Sequence, residues 1–406
     1  MSPAPPLLQH SCLRTFTVSA PLSPRYLISE GRTTLPDPDS EDAPSLRSSP
    51  FYLETGYSIF AKRPSRPFPP PFVNLPSGSF SDPLTTHNVP RGRRPFVNGQ
   101  PVRGITNGDD AIIIADKNFI AVNDGVGAWA LKDRGHAALW SRLIAHFWAL
   151  EVEKSFEGRE DVDLADLNPI QNLQDAYNET KAVLKGGLLK PQQDENRHDQ
   201  NKDESGPRST ETSSSTSDTK EKSDADDILG TTTASSALLH YRRTSSSPTP
   251  VVLATTLGDC KVLVIRPSSN TVLYHSKEQW HWFDCPRQLG TNSPDTPLGN
   301  AVTDTVDIQV DDVVLVLSDG VTDNLWEHEI CQNVSGSVEK WQAGEQEAKD
   351  GPVYVARTLM NAAREIAQDP NAESPYMERA FDEGIAAEGG KLDDISVVIG
   401  VCRKKE

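Results

Sequence analysis

A chain of 406 residues with 40 Lys and Arg against 58 Asp and Glu carries a formal net charge of -18 at pH 7. That length can bury one large core or two ordinary ones, and the charge excludes a nucleic-acid backbone as the principal ligand, because phosphates would be repelled before any groove contact formed. A phosphorylated ligand would need local cations, and metal held by an acidic site is their simplest source.

The first 50 residues are rich in Pro and Ser, with Arg14 and Arg25 and no acid before Glu30. They are expected to be a presequence of mitochondrial type or a disordered tail. Order is predicted to begin at Phe51, where FYLETGYSIFA alternates like a strand. The following RPSRPFPPPF is too rich in proline for a helix or a sheet interior. A domain over 51–406 is then interrupted at about 191–236 by a polar acidic tract rich in Ser and Thr, expected to be a disordered insertion. Such an insertion need not divide the domain, because loop closure costs little extra entropy as a loop lengthens.

Strand-like runs occur at 111–115, 119–123, 251–257, 261–265, 271–275, 312–318 and 395–401, and helical periodicity at about 136–156, 170–184, 325–334 and 352–367. Short strands paired as hairpins, with helices between them, predict an α+β layered sandwich of antiparallel sheets covered by helices. No apolar run approaches the roughly 20 residues needed to span a bilayer. Cys12, Cys260, Cys285, Cys331 and Cys402 are odd in number and scattered. They imply neither a disulfide framework nor a zinc site, and they suit a reducing compartment.

The most informative stretch is GDDAIIIADKNFIAVNDGVGAW, residues 108–129. Two short strands flank a turn at Asp116-Lys117-Asn118, and a hairpin centred on Lys117 places Asp110 opposite Asp124. Facing like charges are destabilising, unless a cation sits between them or one carboxyl stays protonated. Asp109 adds a third carboxylate, and Gly125 lets a backbone carbonyl approach closely. Hard divalent ions such as Mg²⁺ and Mn²⁺ prefer an all-oxygen environment. Two more strand ends carry acids: VLVLSDGVTDN presents Asp319 and then Asp323, and KLDDISVVIGVC presents Asp393 and Asp394. A cluster of this kind can hold two ions, lower the pKa of a water between them, and offset charge growing on phosphoryl oxygens.

The ordered set GDDA, NDGVGAW, LGDCKVLVIR, SDGVTDN and KLDDISVV resembles the PP2C (PPM) phosphatases. The DGVG-W sequence and HWFDCPRQLG (281–290) resemble the mitochondrial Ptc7-type branch most. The likeness covers roughly 51–190 and 236–402. It implies a four-layer α-β-β-α sandwich with two antiparallel sheets flanked by helices. It also implies serine/threonine protein phosphatase activity with two divalent ions, Mn²⁺ or Mg²⁺, and attack by a hydroxide bridging them. By resemblance Asp124 would bridge both ions. The Gly125 carbonyl and Asp109 would complete one, Asp319 and Asp393 would complete the other, and Asp110 would reach that shell through water. Asp259 and Asp323 correspond to aspartates linked with a weaker third ion.

The chain departs from that pattern twice. Val126 stands where many relatives carry a histidine that protonates the leaving group, and Ile105 stands where many carry a phosphate-binding arginine, with Arg103 the nearest replacement. His136, His146 and His240 form no ligand set, and the RGRR run at 91–94 suits a solvated loop. The partner expected is a phosphorylated protein, with no nucleic acid and no membrane span, for a monomer in mitochondria or alternatively in cytoplasm or nucleus. A silent scaffold domain and a phosphatase of small metabolites are the competing functions.

Overall fold

The computed structural model describes residues 27–31, 49–63, 96–98, 100–159, 161–186, 227–245 and 247–405. The RPSRPFPPPF segment beyond Arg63, the RGRR run and residues 191–226 of the polar tract lie outside them.

The first sheet contains β1 (Leu27–Gly31), β2 (Phe51–Ala61), β8 (Lys261–Arg266), β9 (Thr271–His275), β11 (Val313–Leu317) and β12 (Ile395–Lys404), in the order β1-β2-β12-β11-β8-β9. The second contains β3 (Ile105–Asn107), β4 (Asp110–Ala115), β5 (Phe119–Asn123), β6 (Ala234–Arg242), β7 (Thr249–Leu257) and β10 (Val302–Asp307), in the order β10-β7-β6-β5-β4-β3. Every neighbouring pair is antiparallel.

Helices α1 (Ala137–Phe156) and α2 (Pro169–Gly186) share a core with the outer face of the second sheet, through Leu143, Trp148, Leu173 and Leu238. Helices α3 (Glu327–Gln342) and α4 (Pro352–Gln368) do the same for the first sheet, through Val334, Leu359, Leu315 and Ile399. Ile112, Ile120, Val262, Val314 and Val398 fill the space between the sheets. Strands buried on both faces need apolar residues at every position, which explains the unbroken VVLVL of β11. The four-layer α-β-β-α sandwich is thus present.

The hairpin register is as expected: Ala115 faces Phe119 and Ala111 faces Asn123. Asp116 and Lys117 both have positive φ, and Asn118 N–H donates to the Ala115 carbonyl, the geometry of a type I′ turn. Three sequence boundaries move. Leu27–Gly31 lies in the span expected to be tail, yet it adds an edge strand to β2. Thr231–Ser236 falls within the tract expected to be a disordered insertion, but these residues are buried at the start of the sheet strands. Helix α3 continues well past residue 334, because Val334 and Val338 keep its apolar stripe on the core.

Candidate metal centre

One edge of the sandwich gathers the acids. β4 begins at Asp110, and β5 delivers Asp124 just past Asn123. Lys261 pairs with Leu317, so Asp259, two residues before β8, enters beside Asp319, two residues after β11. Leu317 pairs with Val397 and Phe60 with Ile395, which brings Asp393, Asp394 and the end of β2 to the same edge. Six strand ends from two sheets therefore converge, and their electrostatics show it.

Burial, followed by the charges of Asp319 and Asp110, holds the Asp124 carboxyl well above the usual range. Burial and then Asp394 raise Asp110 in the same way, against a 2.8 Å hydrogen bond from Ser396 Oγ. Asp259 is raised by burial and by Asp319 and Asp323. Asp393 is raised by burial and Asp319, with Lys62 and Lys391 opposing. Burial also disfavours the charge on Asp319, but Lys391, a hydrogen bond with Asp124 and Lys62 outweigh it and hold Asp319 below the usual range. The cluster is deficient in positive charge.

Gly125 is there because nothing larger fits: a Cβ would lie 2.1 Å from the Asp109 carbonyl oxygen. That carbonyl also accepts from Ser141 Oγ at 2.7 Å. Asp394 has a different task from its neighbours. Its carboxylate accepts from the backbone N–H groups of Lys62 (2.8 Å) and Asp109 (2.9 Å) and fills the space a Gly108 side chain would need. It ties β2, the β3–β4 turn and β12 together. Burial, opposed by Lys62, pushes its pKa up to about 7.

Cations that composition did not reveal sit among the acids. Lys62 Nζ pairs with Asp393, and Arg63, whose side chain is 44% exposed, reaches Asp109 Oδ2 at 2.5 Å. Lys391 Nζ lies 3.1 Å from Asp319, 2.7 Å from Asp323 and 2.8 Å from Asp284. Arg379 also pairs with Asp323. With these groups in place, no three acidic, His or Cys side chains among the described residues converge as ligands of a single ion. Two observations nevertheless fit divalent cations. Asp319 Oδ1 and Asp259 Oδ1 are buried without a hydrogen-bond partner, a costly state that a cation relieves. Asp109, Asp110, Asp124, Asp259, Asp319, Asp323, Asp393 and Asp394 outnumber Lys62, Arg63, Arg379 and Lys391, an excess of acid that bound cations would offset. Asp323, doubly paired, offers least to a third.

Arg103 does not join them. Its guanidinium pairs with Glu153 on α1 and acts on Asp116 at the turn of the β4–β5 hairpin, the end remote from Asp110 and Asp124. The nearest replacement along the sequence is thus the wrong one in space, and Lys62 and Arg63 hold the mouth instead. No local signal marks them, because only the pairing of β2 with β12 brings Lys62 and Arg63 to the ring. The three histidines set aside are structural. His136 caps α1, His240 Nε2 bonds the Val162 carbonyl, and His146 Nδ1 accepts from the Arg103 N–H. Burial and the nearby Arg103 lower the His146 pKa to about 4.

No protein-family model matches the chain. It is 28% identical to a probable protein phosphatase 2C 80 of Arabidopsis thaliana, over 80% of this chain and 63% of that protein. It is 33% identical to the human protein phosphatase PTC7 homolog, over 36% of this chain and 47% of that protein. The matches thus span about half to three fifths of these relatives' length. A solved structure of the photosystem II phosphatase PBCP aligns with 72% of this chain and 91% of its own at 23% identity and a TM-score of 0.49. By sequence the chain is similar to proteins named as PP2C-type protein phosphatases and to PTC7 homologues.

Proposed function

We propose that the chain is a metal-dependent serine/threonine protein phosphatase. The observation that carries this is the convergence of Asp110, Asp124, Asp319 and Asp393 on one sheet edge, with two buried carboxylate oxygens left unpartnered. Asp109, Asp124, the Gly125 carbonyl, Asp319 and Asp393 would hold two ions, Mn²⁺ or Mg²⁺, and Asp110 would support them through water. The ions, when bound, supply activation of a water nucleophile and charge to offset that growing on the phosphoryl oxygens.

The remaining work falls to side chains of this chain. Lys62 and Arg63 stand at the mouth as anchors for a phosphate dianion, Arg63 as a fork suited to two phosphate oxygens. Ser396 orients Asp110. Asp394 sets the distance between β2 and Asp109 by its two backbone bonds, and so fixes where the anchors stand relative to the carboxylates. Substrate protein, monomeric state and a mitochondrial site of action, by likeness to the PTC7 homologue, belong to the same proposal.

The test is phosphate release from a phosphothreonine peptide by the purified chain. Turnover with Mn²⁺ that EDTA abolishes is expected. Turnover only of small phosphorylated metabolites would move the function to that class, and none on either substrate would favour a silent binding domain. Imaging the chain with and without residues 1–45 tests the location, and an unchanged pattern would remove the presequence.

A further inference from the structure

The phosphatases that this chain resembles commonly protonate the departing oxygen with a side chain two residues after the equivalent of Asp124, and here that position is Val126. Serine and threonine alkoxides are poor leaving groups, so protonation during departure matters. The rim of the site contains one arrangement suited to that task. Residues Trp280–Trp282 and Cys285–Pro286 form a small hairpin. Its tip residue Asp284 meets Lys391, the same ammonium group that reaches Asp319 and Asp323. At its base Gln279 N–H donates to the Gly258 carbonyl at 2.8 Å, next to Asp259.

On this hairpin His281 Nε2 lies 2.7 Å from Asp295 Oδ2. The Asp295 side chain is 2% exposed, and that of His281 is 25% exposed. Asp295 is itself fixed by Arg287 (3.1 Å) and by the Gln288 N–H (3.0 Å). The Gln288 side chain accepts from Thr231 Oγ1, and the Thr231 carbonyl accepts from Val126 N–H at 3.0 Å. A buried carboxylate thus fixes one ring nitrogen of a half-open imidazole, and a chain of hydrogen bonds links that carboxylate to the position where the donor is missing. A carboxylate behind a histidine sets its tautomer and stabilises its protonated form.

Building on the phosphatase function proposed above, we propose that His281 is the acid for the leaving group and that Asp295 is its positioning residue. As water oxygen bonds to phosphorus, the bond from phosphorus to the seryl or threonyl oxygen breaks, and its electron pair stays with that oxygen. His281 gives its Nδ1 proton to that oxygen, and the neutral ring regains a proton from solvent. Water is the only co-reactant, and alcohol and inorganic phosphate are the products.

The experiment compares two esters with the full chain in Mn²⁺: a phosphothreonine peptide, whose alkoxide needs a proton, and p-nitrophenyl phosphate, whose phenolate departs without one. His281→Gln is expected to lower kcat on the peptide by about 100-fold, at the low end of what a general acid contributes, while changing kcat on the nitrophenyl ester less than about threefold. Asp295→Asn should show the same split with a smaller factor. Imidazole in the buffer should restore peptide turnover to His281→Ala. Equal losses on both esters, or no loss on the peptide, would overturn the proposal while leaving the phosphatase function standing. If the unaltered chain hydrolyses neither ester, the phosphatase function falls first and this proposal with it.

Discussion

Raising the pH of the metal-free protein perturbs the carboxylate ring directly. Asp110, Asp124 and Asp259 sit well above the usual range, and Asp323 and Asp394 are each pushed up to about 7 by burial and, for Asp323, by Asp319. A carboxyl whose folded pKa exceeds its unfolded one contributes stability that is complete below the unfolded value and is lost as pH climbs through the folded one. His146, lowered to about 4, and His240, also lowered by burial, act in the opposite direction, and their gain tails off as pH rises past the unfolded imidazole pKa of about 6.5. In the window from about pH 6.5 to 8 the carboxyls therefore outweigh them. One pKa unit corresponds to ~1.4 kcal/mol, so one net proton released across the ring costs roughly 2 kcal/mol over that window. At about 2–4 °C per kcal/mol for a large domain, Tm should fall by about 4–8 °C.

Differential scanning calorimetry in EDTA measures this fall. With excess Mn²⁺ the trend should flatten or reverse, because ions bind the deprotonated ring and stabilise the fold by mass action. A metal-free Tm that stays constant or rises between pH 6.5 and 8 would refute the assignment of the ring as a set of unwillingly charged carboxylates.

Substitutions at four positions extend the account. Asp394→Ala leaves the Lys62 and Asp109 N–H groups without their acceptor and should cost about 2–6 kcal/mol in denaturant unfolding, with Asp394→Asn recovering part of that. Gly125→Ala forces apart two backbones that a Cβ would bring to 2.1 Å, and should cost about 1–3 kcal/mol and weaken Mn²⁺ binding in calorimetry. Lys62→Met should raise KM for a phosphopeptide about tenfold, a change of ~1.4 kcal/mol, whereas Arg103→Met, remote from the ring, should leave KM within about twofold.

The strands that form the ring were legible because each carries a complete local signal. The Asp116-Lys117-Asn118 turn specifies its own register, and with it the meeting of Asp110 and Asp124. Strand β11 is apolar throughout because both its faces are buried. Strand β6 was not legible: ASSALLHYR looks polar at its start, and its serines are buried by pairing with β5 and β7, which no local pattern reveals. The cations of the site were invisible for the same reason. Lys62 and Lys391 are separated by most of the chain and meet only through the pairing of β2 with β12. Arg103 was the choice that proximity along the chain favoured, yet α1 supplies Glu153 and holds it at the remote end. Val126 was legible as an absence, but the His281–Asp295 pair required the fold of the rim hairpin.

The most direct measurement is calorimetric titration of Mn²⁺ into the metal-free chain and into Asp124→Asn, with phosphopeptide turnover followed on the same samples. The account predicts two ions per unaltered chain, and loss of at least one ion together with turnover in the variant, because Asp124 is the carboxylate assigned to both. Two ions bound by Asp124→Asn with turnover retained, or none bound by the unaltered chain, would contradict it.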